Sequence, residues 1–195
     1  LRDDGTLISK IRTFKMARSL DCRVFTYTRG NKLEMAEALA YNRQGMGNIG
    51  GVLAGYSVSK EDRKWISFFH ESFEHYRDVK NIADVAVLHS YSTMAYNNDR
   101  PYQSVFLFEQ ALIQAKIPFD IIFDQHLADL SKYKVLVLAD QEALNQSKLN
   151  LIEEFVKQGG GLVVTEHSSL YDEPRERRKE FGLQSLLHIE PPEWQ

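Results

Sequence analysis

Cysteine is nearly absent: Cys22 is the single one in 195 residues. One cysteine makes no intrachain disulfide and no cluster for structural zinc. The chain is therefore expected to be intracellular, with a cytoplasmic location, or else a secreted domain that needs no staples. Positive charge is not in excess either, with 24 Lys and Arg against 27 Asp and Glu and a net charge of −3. That balance argues against a nucleic-acid partner, whose footprint is a basic patch or stripe. No apolar run approaches the roughly 18 residues of a membrane span, and mean hydropathy is −0.38, so no membrane partner is expected. The chain opens on Leu1 and the polar Arg2, Asp3, Asp4 and Gly5. No signal peptide is visible there, and the chain is expected to be a piece of something longer.

What is present is an ordinary globular composition, 43% hydrophobic and 26% charged, far from that of a disordered chain. Residues 7–20 are helix-like, and 22–28 (CRVFTYT) are strand-like through Val24, Phe25 and Tyr27. Residues 32–41 suit a helix rich in Leu, Glu, Met and Ala. A glycine-rich stretch at 45–51 leads into the apolar run Val52-Leu53-Ala54. The segment 60–80 is expected as a long helix. Ile66, Phe69, Phe73 and Tyr76 make one apolar stripe on it, and Trp65 and Phe68 widen that stripe.

From residue 83 the pattern sharpens. Residues 84–89, 119–123, 134–139 and 161–165 are short apolar runs without alternation, as parallel strands covered on both faces read. Helical patterns lie between them. Pro101 fits a first turn, followed by Val105, Phe108, Leu112 and Ala115 on one face. Asn145 fits an N-cap, Leu149, Ile152 and Val156 form a stripe, and Gly159 fits the position just past the helix. The order β-α-β-(loop)-β-α-β predicts an α/β fold, an open, doubly wound and mostly parallel sheet with flavodoxin-like layout. The segment 173–187 reads as a charged helix, with i, i+4 pairs inside Glu173–Glu180. A boundary is expected near 79–83, dividing the chain into 1–82 and 83–195.

In open parallel sheets, ligands bind beyond the carboxyl ends of the strands. Those ends carry His89, Ser90 and Tyr91, then Asp124, then Asp140 and Gln141, then Glu166, His167, Ser168 and Ser169. A polar crevice is one reading of this set, and caps and turn formers are the other. Ser168, His167 and Asp172 are too close in sequence for a hydrolase triad, which draws on separate loops, and no G-x-S-x-G elbow is present. Gly45-Met46-Gly47-Asn48-Ile49-Gly50 matches G-x-G-x-x-G in letters, but a helix precedes it and a strand-like run follows, the reverse of a dinucleotide fingerprint. His70 and His75 are five apart, unlike the i, i+4 zinc pair. Cys22, at the start of a strand-like run, reads as a small buried hydrophobe. No metal and no cofactor is expected.

The stretch from Ala83 to Glu173 runs ADVAVLHSYS, FDIIFDQHL, YKVLVLADQEAL and VKQGGGLVVTEHSSLYDE. It resembles the class I glutamine-amidotransferase-like domain found behind the barrel of some glycoside hydrolases, the β-galactosidase trimerisation domain of family 42 and its relatives. Upstream, KMARSLDCRVFTYTRGN, the 32–41 helix and NIGGVLAG are similar to the closing β/α units of the barrel that precedes that domain. The resemblance departs at one chemically decisive place. Amidotransferases put a Cys nucleophile at the elbow after a central strand, whereas Glu166-His167-Ser168 stands here, without a thiolate to carry glutaminase chemistry. No catalytic residue is carried over, because the two carboxylates of a retaining glycosidase come from earlier strands in that family.

The resemblance implies a non-catalytic domain of a β-galactosidase-related protein that serves oligomer assembly, by self-association, or shapes the sugar site. Two other readings stand beside it. One is a sugar-binding module that uses His89, Ser90, Tyr91, Asp140, Glu166 and His167. The other is a fragment of an active glycosidase whose acids lie upstream.

Overall fold

A computed structural model of the chain describes residues 10–24, 32–42, 59–77, 79–173 and 175–191. The chain divides into two compact units, Leu1–Asn81 and Ile82–Gln195.

In the first unit the described residues form helices α1 (Ile11–Ser19), α2 (Lys32–Tyr41) and α3 (Lys60–Tyr76). The stripe on α3 meets α2. Phe69 is buried with Met35 and Leu39, and Trp65, Ile66 and Phe73 pack against that cluster. Burying side chains of this size contributes about 1.5–3 kcal/mol each, which holds a helix whose other face is strongly polar. Phe68 and Tyr76, at the margins of the stripe, stay exposed. The Lys10 amide donates to Glu37 Oε2 at 2.9 Å, which ties the start of α1 to α2.

Cys22 corrects an expectation, because it is exposed. Asp21 adopts the left-handed conformation at φ 57, and the Cys22 amide donates to the Ala17 carbonyl at 2.8 Å. These residues close α1 with a helix-terminating turn, and residues 22–24 form no strand. Val24 is instead clamped by Asn42, whose side chain donates to its carbonyl at 3.0 Å and accepts from its amide at 3.3 Å. The rest of that expected strand, 25–28, lies outside the described residues, as do the glycine-rich stretch 45–51 and the run 52–54.

The second unit is a four-stranded parallel sheet in the order β2-β1-β3-β4. Its strands are β1 (Val85–His89), β2 (Phe119–Phe123), β3 (Val135–Ala139) and β4 (Gly161–Thr165). Val85 sits in register with both Phe119 and Val135, and Val135 with Gly161. The chain moves from β1 out to β2, then crosses back to β3. The direction of winding therefore reverses between β1 and β3, where doubly wound sheets open a crevice. Helices α4 (Tyr91–Tyr96) and α5 (Arg100–Gln114) connect β1 to β2, and α6 (Gln146–Lys157) connects β3 to β4.

Strands β1, β2 and β3 are covered on both faces, which explains their unbroken apolar runs, whereas β4, at the sheet edge, has no buried residue and leaves Val163 exposed. On one face Ala86, Leu88, Ile122, Leu136 and Leu138 pack with Leu149, Ile152 and Phe155 of α6. On the other, α5 lies against β1 and β3 and buries Val105 and Glu109. The punctuation works as the sequence predicts. Pro101 sits in the first turn of α5, Asn145 Oδ1 accepts from the Lys148 amide at 3.0 Å, and Gly159 takes φ 99 just past α6, a conformation that suits glycine.

The charged helix expected over 173–187 is not formed. Among the described residues there, only α7 (Gln184–Leu187) is helical. Arg175 is left-handed at φ 76, Tyr171 and Arg177 make an antiparallel bridge, and the Arg178 amide donates to the Leu170 carbonyl at 2.8 Å. The charged side chains reach into the domain: Arg178 donates to the Leu144 carbonyl at 2.7 Å, and Glu173 bonds Lys148. Those tertiary bonds outweigh the few tenths of a kcal/mol that each exposed i, i+4 pair supplies.

Candidate functional site at the strand ends

Four strand ends and the loops after them converge beyond the carboxyl edge of the sheet. At the end of β1, His89 is buried and its Nε2 lies 2.8 Å from Glu109 Oε1 of α5. The Ser90 amide donates to Gln141 Oε1 at 2.7 Å, which links β1 to the loop after β3. Tyr91 is 45% exposed. Its ring lies flat on Phe123, with centroids 5.2 Å apart and planes 12° from parallel, an arrangement aromatic pairs favour when offset. The Tyr91 amide donates to Asp124 Oδ2 at 2.9 Å.

Asp140, at the end of β3, is fully buried and left-handed at φ 53. Its Oδ1 accepts from the His167 amide at 3.0 Å and lies 3.6 Å from His167 Nδ1. Its Oδ2 has no hydrogen-bond partner among the described residues. Burial pushes the Asp140 carboxyl above its usual range. The bond from the His167 amide and the nearby His167 and Arg100 oppose that rise, and Glu166 adds to it. Two residues on, Glu142 is buried, with Oε1 accepting from Asn97 Nδ2 at 2.9 Å and Oε2 lying 3.4 Å from Arg175.

At the end of β4, Glu166 is left-handed at φ 54 and exposed, while His167 is partly exposed. Ser168 is fully buried. Its Oγ accepts from the Gln141 amide at 2.8 Å and faces the Leu138 and Thr165 carbonyls at 2.8 and 2.9 Å. A hydroxyl has one donor and two acceptor positions, so Ser168 braces two loops and is not poised as a nucleophile.

The structure thus brings Asp140 and His167 into contact and ties Ser90 to them through Gln141. It turns His89 away into a pair with Glu109, and it leaves Tyr91 and Glu166 at the surface. The sequence reading passed over Glu142, Glu109 and the partly buried Lys148, which lies 3.0 Å from Asp124 Oδ2 and also pairs with Glu173. A signal for Glu109 existed. It falls four residues after Val105, on the inward stripe of α5, where a lone carboxylate calls for a buried partner.

Nothing curated matches the chain. Among solved structures, it is similar to a beta-galactosidase from Bifidobacterium adolescentis, at 24% identity and TM-score 0.51, over 57% of this chain and 55% of that one. It is similar to Gan42B, a GH42 beta-galactosidase from G. stearothermophilus, at 18% identity and TM-score 0.64, over 98% of this chain and 36% of the other. It is also similar to a beta-galactosidase from Bacillus circulans sp. alkalophilus, at 22% identity and TM-score 0.56, over 72% of this chain and 22% of that one. At such identities the likeness establishes the fold. The chain spans between about a fifth and just over half of the length of these proteins. No helix among the described residues is long and apolar enough to cross a membrane. Residues 83–186 match the family described as the beta-galactosidase trimerisation domain, and the chain belongs to that family.

Proposed function

We propose that this chain is a non-catalytic assembly segment of a glycoside-hydrolase-like protein related to β-galactosidases, and that it acts in the cytoplasm. In this reading residues 83–195 are the amidotransferase-like domain through which copies associate, and residues 1–82 are the closing β/α units of the barrel before it. The observation that carries the reading is the trimerisation-domain match over 83–186. The Gan42B likeness, which runs across 98% of this chain, supports assigning both parts to one such protein. The chemistry of the strand ends supports a non-catalytic role. The turn after β4, with Glu166 at φ 54, carries no thiol, and Ser168 is consumed by internal bonds.

Light scattering on the purified chain across a tenfold concentration range tests the assembly role. A mass of three chains, stable on dilution, is the expected result, and a monomer at the highest concentration overturns it. The same chain is expected to be inert on chromogenic galactosides. Turnover by it overturns the non-catalytic reading.

One observation favours a sugar-contacting role as a second reading. The exposed Tyr91 ring, backed by Phe123 and beside Asp124, offers an apolar face with polar groups at its rim. Mono- and oligosaccharides that raise the melting temperature of the chain, and fail to do so with Tyr91→Ala, are the expected sign. No shift at millimolar sugar removes this reading.

A further inference from the structure

We propose that Asp140, Glu142 and His167 form a binding site for a divalent transition-metal ion. Asp140 and Glu142 follow β3 and His167 follows β4, so an ion there would join the two loops. Each residue offers one ligand atom, and the three atoms lie within 4.8 Å of one another. Donors that share one ion at about 2.0–2.2 Å stand no more than about 4.4 Å apart, so a contraction of about half an ångström closes the set.

A cluster of acids is weak evidence by itself, and a second observation carries the inference. Asp140 is fully buried, yet its Oδ2 has no hydrogen-bond partner among the described residues. Buried polar atoms are nearly always satisfied, and a buried carboxylate oxygen with no donor is costly. The carboxylate faces the imidazole, with Oδ1 held by the His167 amide at 3.0 Å and 3.6 Å from Nδ1. That gap is longer than a hydrogen bond, and a cation bound between Nδ1 and the Asp140 carboxylate would supply the charge that the buried carboxylate lacks.

The cations already facing the cluster are Arg175 and Arg100. Arg175 approaches Glu142 Oε2 at 3.4 Å while it also donates to the Tyr96 carbonyl at 3.2 Å and lies over the Tyr171 ring, so an ion there displaces one of its three contacts. Arg100 acts on Asp140 through its charge. Partly exposed His167 leaves a way in from solvent. Two carboxylates and one imidazole form a mixed oxygen and nitrogen set, which suits zinc and its first-row neighbours. Calcium and magnesium favour oxygen alone. Three protein donors leave a fourth tetrahedral position for water.

The test is isothermal titration of the untagged, chelator-treated full chain with Zn2+, and with Mg2+ and Ca2+ as comparison arms. One saturable Zn2+ per chain is expected, together with a rise in melting temperature, and the Mg2+ and Ca2+ arms are expected to give no saturable binding. His167→Ala and Asp140→Asn are each expected to weaken Zn2+ binding by about tenfold or more, since even outer partners of a metal contribute that much. Asparagine tolerates the left-handed backbone at position 140. Should that variant still misfold by circular dichroism, His167→Ala alone decides. Surface histidines such as His70 and His75 would bind Zn2+ without regard to position 167. Binding that is unchanged in His167→Ala, absent saturation, or equally tight Mg2+ binding each overturns the proposal.

Discussion

His89 Nε2 lies 2.8 Å from Glu109 Oε1, and both side chains are 1% exposed. The bond joins the end of β1 to the middle of α5, so it fixes the helix along the sheet at the height of the strand ends. Removing either partner leaves the other buried with a bond unmade, a loss of about 1–3 kcal/mol and more if the survivor is charged. His89→Leu and Glu109→Leu are each expected to destabilise the chain by that amount. The double replacement is expected to cost clearly less than the sum of the two. Urea unfolding of the four proteins measures the cycle, and an additive double mutant shows that the two groups are not coupled.

Ser168 is the residue that a search for a nucleophile picks first, and its environment assigns it another task. With its Oγ taking the Gln141 amide and facing two carbonyls, it holds the loop after β4 against that after β3. Ser168→Ala leaves the Gln141 amide buried without that acceptor, so a loss of about 1–3 kcal/mol in unfolding free energy is expected. An alanine variant of unchanged stability shows that the bonds carry no net weight.

The parts of this fold that were legible in the sequence are those set by local rules. Four apolar runs became four parallel strands, three of them because burial on both faces removes the need for polar alternation, and β4 as a partly exposed edge strand. Asn145 and Gly159 bounded α6 because a cap and a left-handed terminus place strict demands on one residue each. The misreadings fall where tertiary bonding overrides such rules. Residues 173–183 carry a helix-like charge pattern, yet Arg178 and Glu173 find partners on Leu144 and Lys148 that no local pattern announces.

The strand ends show the same division. Fold rules located His89, Asp140 and His167 at one end of the sheet, because parallel topology alone sets which termini converge. Which of them touch depends on backbone turns. The left-handed Asp140 and Glu166 direct neighbouring amides and side chains in ways that the residue names do not reveal. Glu142 escaped notice because its place in the site depends on Asn97 and Arg175, which come from distant positions in the chain.

Gly182 marks a close approach. A Cβ built there would stand 2.5 Å from Leu149 Cδ1 and 3.1 Å from the Ser169 carbonyl oxygen. Leu149 is fully buried in the α6 face of the core, so it has little room to yield, and the carbonyl is backbone. Gly182→Ala is expected to cost about 1–3 kcal/mol, the usual penalty of overpacking, read as a fall in urea midpoint. A variant as stable as the parent shows that the segment can shift as a unit.

Glu173 gives the domain a pH dependence of defined sign. Partial burial pushes its carboxyl up. The bonds from Lys148 and Ser92, the Lys148 charge and the bond from Asn145 outweigh that push, so its pKa falls below the ordinary 4.5. An unfolded chain therefore takes up this proton near pH 4.5, while the folded chain takes it up only at lower pH. Between those two values the unfolded state binds more protons, so stability rises with pH. The contribution is complete above about pH 4.5 and is lost as pH falls through the folded pKa. Glu173→Gln removes it. The melting temperature of the variant is expected to lie furthest below that of the parent near neutrality, and the gap is expected to narrow steadily on acidification below pH 4.5. Circular dichroism melts across the acid range read the gap directly. A gap that is constant with pH, or that widens in acid, shows that the lowered pKa contributes nothing to folding.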